Sequence, residues 1–236
     1  MKNAKIILTT IVVILLTGIY QVLINKFFPN LDPLMAKFIR KFLQALTIVI
    51  YIFIIGWWKN IASLKKVSFK SLYLILPVII ISFIPILNGF KENSAYGIFM
   101  TLFIALLIGF TEEIEYRGII FSALEHMGAK SSILISSVIF ALMHLLNLCY
   151  GADILDTLVQ VVFAFGFGLV MAVITYKTHS LLPQILVHAL WDFNSDIANT
   201  NFKPLIDNIH SVGLVLILLW GVIVTLKVVK NREIYE

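Results

Sequence analysis

The sequence predicts an all-α fold: a polytopic membrane helix bundle of about eight transmembrane helices that enclose a polar cavity. Of the 236 residues, 60% are hydrophobic and only 13% are charged, whereas a soluble domain carries about a quarter charged residues. A membrane-spanning helix needs about 20 consecutive apolar residues, and runs of that length recur along the whole sequence. No internal repeat or low-complexity linker separates them, so residues 1–236 are expected to form a single membrane domain.

Each predicted span follows one apolar run, and several runs have distinguishing features. The first is long for a signal sequence and no small-x-small cleavage site follows it, so it is expected to be retained. The third contains two prolines, which kink helices. The fourth is long and amphipathic in its second half, and the seventh is short and ends in polar residues. The fifth contains the lone cysteine, Cys149, which is expected to be a buried thiol. In chain order the spans are 6–24, 38–58, 71–90, 96–126, 131–149, 156–177, 181–198 and 211–230.

The distribution of basic residues predicts the orientation of the bundle. Most of the 18 Lys and Arg residues lie at the two termini and in the loops after the second, fourth and sixth spans, and the side richer in these residues is usually cytoplasmic. Both termini are therefore expected in the cytoplasm, although Lys37, Arg40 and Lys41 crowd the opposite end of the second span. The abundance of Ile, Lys and Asn favours a bacterial cell membrane. Because the basic residues lie in short loops, the net charge of +5 does not indicate nucleic-acid binding.

Ionisable residues within the apolar runs indicate a functional site. A charged group in the bilayer core costs at least a few kcal/mol, so it usually faces a wet or paired interior. Glu112 lies 16 residues before Gly128, in the turn between the fourth and fifth spans, and His144 lies 16 residues after it. In an antiparallel helix pair these two side chains should face each other, roughly 20 to 24 Å from the turn. The candidate site residues are Glu112, Glu113, Arg117, His144, His188 and Asp192.

Two pairs of residues at i, i+4 spacing complete the pattern. Glu113 and Arg117 should form an ion pair on one helix face, which leaves the preceding glutamate as the better proton acceptor. Glu115 is expected to point to another face of that helix and to be peripheral. His188 and Asp192 share one face of the seventh span and could donate hydrogen bonds to a developing oxyanion. Each feature alone is usually structural, but their combination on three spans favours a catalytic site.

Three short motifs occur in order on separate apolar runs: residues 112–117 read EExxxR, residues 140–144 read FxxxH, and residues 188–192 read HxxxD. In this arrangement the sequence resembles the CPBP family of intramembrane proteases, which includes the eukaryotic CAAX prenyl endopeptidase and bacterial proteins linked to bacteriocin maturation and self-immunity. The resemblance implies a glutamate-type endopeptidase without a metal or other cofactor, acting on a membrane-associated peptide or protein. The catalytic core would be residues 96–198.

The resemblance also implies a role for each motif residue. Glu112 would be the general base that activates a water molecule, with His144 assisting, and His188 and Asp192 would stabilise the oxyanion. The second glutamate and the arginine of EExxxR would support the site. Many family members have Asn where this chain has Asp192, and a carboxylate donates a hydrogen bond only when it is protonated. Asp192 would therefore either be kept neutral or orient His188.

Three other interpretations stay open. Two His and one or two Glu can hold zinc with a water in the open position, although the sequence lacks HExxH. A transporter or proton relay also retains acidic and imidazole groups, but it should show inverted repeats, and none is visible. A non-enzymatic immunity or scaffold protein for a bacteriocin or signalling peptide would tolerate degenerate motifs, whereas these motifs are nearly intact. The lipid bilayer is a partner in every case, and the sequence does not indicate the oligomeric state.

Overall fold

The computed structural model describes residues 2–61, 73–91, 94–199 and 204–233. Over these ranges the protein is all-α, as the sequence predicts, and an antiparallel bridge between Phe90 and Ala198 is isolated rather than part of a sheet. The helices are α1 (Lys2–Thr17), α2 (Ile19–Phe27), α3 (Pro33–Ile54), α4 (Leu76–Ser82), α5 (Ala95–Glu113), α6 (Ser122–Leu124), α7 (Ala129–Met143), α8 (Ile154–Thr178), α9 (Leu182–Ile197) and α10 (Pro204–Glu233). A π-helical segment, Ile114–Phe121, joins α5 to α6, and 3-10 turns cover Trp57–Lys59, Pro85–Asn88, Glu125–Met127 and His144–Tyr150.

Long apolar helices indicate that the protein is an integral membrane protein. In the described part of the chain, five helical stretches are long and apolar enough to cross a membrane, and they match the first, fourth, fifth, sixth and eighth predicted spans to within a few residues. Many large apolar side chains, among them Leu8, Phe99 and Leu155, point outward, as a lipid environment requires. The five stretches are Lys2–Phe27, Ala95–Met127, Ala129–Tyr150, Ile154–Thr178 and Gly213–Lys230.

The second and third predicted spans differ from full-length transmembrane helices. The second corresponds to α3, which is 22 residues long but carries three basic residues in its first half. The third is broken: α4 ends at Ser82, and a 3-10 turn begins at Pro85. Proline removes a backbone donor and interrupts a helix, and the backbone groups that are freed need other partners within a membrane. Asn194 of α9 supplies one, because its Nδ2 donates to the Ser82 carbonyl at 2.9 Å.

The seventh predicted span corresponds to α9, which has only 16 residues but begins inside the bundle. Ser180 and Leu181, in the turn that precedes it, are completely buried. Leu181 packs beside Gly118, since a Cβ on Gly118 would lie 3.4 Å from Leu181 Cδ1. From there α9 runs antiparallel to α5, and its His188 reaches Gly109 with 3.4 Å between the His188 Cβ and an added Gly109 Cβ. His188 therefore lies deep in the bundle although it follows the turn closely in sequence.

Helix α8 is the central helix of the bundle. Residues 166–175 are all buried, and two glycines at the start of this stretch let neighbouring helices approach closely. A Cβ on Gly166 would lie 2.7 Å from Leu218 Cα in α10, and one on Gly168 would lie 3.2 Å from Ser137 Cβ in α7. The expectation of a buried Cys149 was wrong, because α7 gives way to a 3-10 segment that leaves this thiol exposed.

Candidate active site

The two adjacent glutamates lie where α5 changes into the π-helical segment. All eight residues of Ile114–Phe121 are buried, and π-helical turns are rare and occur frequently at functional sites. Glu113 is completely buried, and Glu115 is only 4% exposed. The expectation that Glu115 is peripheral was therefore wrong. Glu115 follows Glu112 by three residues, a spacing that places side chains next to each other on a helix, and the structure holds it in the interior beside Glu113.

Glu113 connects α5 to two other buried groups. Its Oε1 accepts a hydrogen bond from Arg117 Nη1 at 3.0 Å and another from His188 Nδ1 at 2.8 Å. Arg117 is 1% exposed, donates from Nη2 to the Gly168 carbonyl at 3.4 Å, and lies 4.4 Å from the centre of the Phe140 ring. The predicted i, i+4 ion pair is therefore present, and a buried imidazole from a second, distant stretch of the chain also bonds to it.

His188 is held in a fixed orientation. Its Nδ1–H donates to Glu113, and its ring lies 5.1 Å from the Phe167 ring and 5.9 Å from the Phe140 ring, measured between centres. Its other nitrogen, Nε2, lies 3.7 Å from Glu112 Oε2 and 3.9 Å from Asp192 Oδ2. These separations are too long for direct hydrogen bonds, so Nε2 faces an open point between two carboxyl groups.

His144 is the first residue after α7. Its Nδ1–H donates to the Phe140 carbonyl at 3.0 Å, and its ring packs edge-on against the Phe140 ring with 5.0 Å between their centres. Because Nδ1 carries the hydrogen, Nε2 of the neutral ring is a hydrogen-bond acceptor. The geometry therefore makes His144 a partner for a donor such as water.

Two cavities meet at these residues. The larger, which we name the apolar groove, has a volume of about 510 Å³, is walled by side chains such as Phe163, Phe167 and Trp191, and reaches His188 and Asp192. The smaller, which we name the polar cavity, has a volume of about 190 Å³. Its polar wall comes from several helices and includes Lys41, Gln44, Glu112, Glu115, Asn147 and Tyr150.

The boundary between the cavities is formed by the predicted site residues. Glu112 lines the polar cavity, His188 and Asp192 line the apolar groove, and His144 lines both. Across this boundary, Glu112 Oε2 lies 3.7 Å from His188 Nε2. The structure thus brings all six predicted residues to one place: five are linked by the distances above, and His144 is linked through the two cavities that it shares.

Besides placing Glu115 wrongly, sequence reasoning missed the charge of Lys41 at this site. The ammonium nitrogen of Lys41, in α3, lies 4.0 Å from Glu112 Oε1. From the sequence, this lysine was interpreted only as a basic residue at the end of a span that bears on the orientation of the bundle. Lys37, one turn earlier, pairs with Asp196 of α9. Both lysines are thus directed at carboxyl groups of the protein. Their i, i+4 spacing was visible in the sequence, but nothing in the sequence indicated which carboxyl groups they would meet.

Comparison with known families identifies the segment that holds the six residues. Residues 94–194 match the family described as type II CAAX prenyl endopeptidase Rce1-like. This segment is an Rce1-like domain. Membership of the family implies a peptidase, of a glutamate type that is typically independent of metal. The Rce1-like domain comprises α5, the π-helical segment, α7, α8 and most of α9, whereas α3 and its Lys41 lie outside it. Comparison with individual curated proteins finds no match.

The acidic and imidazole groups of the Rce1-like domain do not form a metal-ligand cluster in this structure. Among the residues that the structure describes, no group of three or more His, Cys, Asp or Glu is arranged to hold a metal ion. In the site itself, His188 Nδ1 and Arg117 both bond to Glu113 Oε1, which occupies that imidazole nitrogen and that carboxylate oxygen.

Proposed function

We propose that this chain is an intramembrane endopeptidase of the glutamate type, in which Glu112 activates the water molecule that attacks a peptide bond. The observation that carries the proposal is the 3.7 Å separation of Glu112 Oε2 and His188 Nε2 at the boundary between the polar cavity and the apolar groove. A water molecule beside the line that joins these two atoms can bond to both of them. A peptide bond placed there would meet a base on one side and a hydrogen-bond donor on the other.

The proposed reaction needs no covalent enzyme intermediate. Glu112 takes a proton from water while the water oxygen bonds to the carbonyl carbon and the carbonyl electron pair moves onto its oxygen. His144 Nε2 accepts a hydrogen bond from the second hydrogen of the water and so holds the nucleophile. When the tetrahedral intermediate collapses, the bond between carbon and nitrogen breaks, and Glu112 returns its proton to the leaving amine. Water is consumed, and a carboxylic acid and an amine are released.

His188 and Asp192 are proposed to stabilise the oxyanion. His188 Nδ1–H is committed to Glu113, so Nε2 can donate only when the ring is cationic, and the Glu112 carboxylate beside it offsets that charge. Asp192 Oδ2 is buried and has no hydrogen-bond partner in the described part of the chain. Leaving a buried carboxyl oxygen unpaired is costly, so we propose that this oxygen carries a proton and donates it to the oxyanion as a hydrogen bond.

The apolar groove supports a membrane-associated peptide or protein as the substrate. Its walls are aromatic and aliphatic, and Phe163 and Trp191 stack with 4.2 Å between their ring centres. A cavity of this size and lining suits bulky apolar side chains next to the scissile bond. We propose that such a segment lies in the groove with its peptide group at the His188 end.

The proposal treats residues 1–236 as a single membrane domain with its catalytic core in residues 96–198, because every proposed catalytic group lies there. We further propose a bacterial cell membrane as the location, with both termini in the cytoplasm, on the strength of the Lys and Arg distribution. Residues Lys37 and Lys41, which opposed that orientation, are directed at carboxyl groups in the protein. These two lysines are therefore weaker evidence against a cytoplasmic location of both termini.

The decisive experiment measures peptide hydrolysis by the full chain in detergent micelles. The probe is a library of short quenched fluorescent peptides with apolar residues around the scissile bond. Glu112→Gln is expected to lower kcat by about a hundredfold to ten-thousandfold, and His144→Ala and His188→Ala by about a hundredfold. Variants that cleave as fast as the wild type, or a wild type that cleaves no peptide, would refute the proposal.

The same hydrolysis assay, repeated with a metal chelator, distinguishes the glutamate mechanism from a zinc-dependent one. The glutamate mechanism predicts the same kcat in metal-free buffer and after zinc is added. Loss of activity on chelation that zinc restores would instead establish metal catalysis.

A further inference from the structure

The carboxylate of Glu112 is held between groups from two different helices. Its Oε1 faces Lys41 Nζ at 4.0 Å, and its Oε2 faces His188 Nε2 at 3.7 Å. Each oxygen therefore has a different nitrogen opposite it, and rotation of the carboxylate would exchange both pairings. At 4.0 Å the interaction with Lys41 is Coulombic rather than a direct hydrogen bond.

Besides His188, the guanidinium of Arg117 lies near Glu112, but it is already committed. Arg117 donates to Glu113 Oε1 and lies against the Phe140 ring, so its charge is shared with the neighbouring carboxylate. A second buried carboxyl group, Glu115, lines the same polar cavity as Glu112. A nearby opposite charge stabilises the ionised form of a partly buried carboxyl group, and Lys41 places its ammonium group in that cavity.

Lys41 reaches the site from α3, which lies outside the Rce1-like domain. Its side chain is 20% exposed, similar to the 23% of Glu112, and both line the polar cavity rather than the apolar groove. Lys41 therefore meets Glu112 on the side away from the proposed substrate. The polar cavity on that side can hold several water molecules. Removing Lys41 should therefore leave the substrate-binding surface intact.

We infer that Lys41 is a positioning residue, which holds Glu112 Oε1 from the polar cavity so that Oε2 faces His188 and the scissile bond. This inference rests on the proposed function, because it assigns a partner to the proposed base. A misplaced base costs rate in the chemical step and not in substrate binding. Replacing Lys41 should therefore lower kcat and leave KM nearly unchanged.

The test compares four variants of the full chain in micelles, using the peptide of the library that the wild type cleaves fastest. Lys41→Met and Lys41→Gln are expected to lower kcat by about tenfold to a hundredfold, with KM within about threefold of the wild-type value. Lys41→Arg keeps the charge and should retain kcat within about fivefold. Lys37→Met is the matched control, because Lys37 lies one turn away on the same helix and pairs with Asp196; it should leave kcat unchanged.

Each variant is first checked for a single peak on size exclusion and for its thermal midpoint, and kcat is expressed per folded molecule. Lys41→Gln keeps a polar head group in the cavity and decides the matter if Lys41→Met does not fold. Wild-type kcat in either neutral variant, a loss confined to KM, an equal loss in Lys41→Arg, or an equal loss in Lys37→Met would overturn the inference. Failure of the proposed function looks different: the wild type cleaves nothing, or Glu112→Gln cleaves as fast as the wild type.

Discussion

Glu113 Oε1 accepts hydrogen bonds from both Arg117, at 3.0 Å, and His188, at 2.8 Å, and all three side chains are buried. One carboxylate oxygen therefore fixes the imidazole of α9 relative to the glutamates of α5. This contact sets which His188 nitrogen remains free to face Glu112, so a supporting residue determines the chemistry that its neighbour can perform.

Glu113→Gln should therefore destabilise the protein and impair catalysis together. Loss of one charge from a buried pair leaves Arg117 without its counter-charge, which costs about 3–5 kcal/mol. The measurement is the thermal midpoint in detergent, with kcat determined on the folded fraction. Glu125→Gln, at an exposed position near the end of the same long helix, is the control and should shift neither quantity. An unchanged midpoint in Glu113→Gln would contradict the structural role given to this pair.

The close packing of α5 against α9 should depend on Gly109. A Cβ at this position would lie 2.7 Å from the Ile185 carbonyl oxygen and 3.1 Å from the Ala189 nitrogen, and backbone atoms cannot move aside as a flexible side chain can. Gly109→Ala is therefore expected to separate the helices by a few tenths of an ångström or more and to weaken the contact between Glu113 and His188. We expect kcat to fall by about tenfold to a hundredfold, since small displacements of catalytic groups are costly.

Gly166→Ala is the matched control for that experiment. Its Cβ would meet Leu218 Cα of α10 at 2.7 Å, a clash of similar severity between a different pair of helices. Both variants should lower the thermal midpoint, but only Gly109→Ala should lower kcat per folded molecule. Equal kcat values in the two variants would argue against a specific role for the packing of α5 on α9.

The sequence predicted which polar side chains lie close together better than it predicted the helices that hold them. Equal distances from Gly128 placed Glu112 and His144 at one height, and both do line the polar cavity. The i, i+4 rule also predicted the pairing of Glu113 with Arg117, because that contact depends only on local helix geometry. Local spacing is readable from sequence wherever the backbone is regular.

The features that the sequence did not predict all depend on irregular backbone or on contacts distant in sequence. Glu115 is buried within a π-helical segment, a departure from the α-helix that the pattern of residues in the sequence does not signal. Lys41 faces Glu112 because α3 packs beside α5, which no spacing rule specifies. The depth of His188 depends on the buried turn at Leu181, whereas hydropathy alone placed that turn at the membrane surface.

Asp192→Asn tests whether the residue at this position acts as a hydrogen-bond donor. An amide always has NH donors, whereas a carboxyl group donates only when it is protonated. If Asp192 donates to the oxyanion, the asparagine variant should keep kcat within about threefold, and Asp192→Leu, of similar size but without a donor, should lose about a hundredfold. If the negative charge is what matters, the asparagine and leucine variants should lose activity equally. Steady-state kinetics on the same peptide distinguish the two results.

Trp191→Ala should separate substrate binding from chemistry. Trp191 stacks on Phe163 at 4.2 Å between ring centres, and both side chains wall the apolar groove. Removing the indole takes away apolar contact area that is worth about 1.5–3 kcal/mol to a bound side chain, so KM is expected to rise by about tenfold or more. The catalytic groups keep their contacts, and kcat should change by less than about threefold. Trp58→Ala, at a position 53% exposed, removes an indole outside the groove and should leave KM unchanged. A fall in kcat with unchanged KM in Trp191→Ala would mean that the groove shapes the catalytic groups and does not hold the substrate.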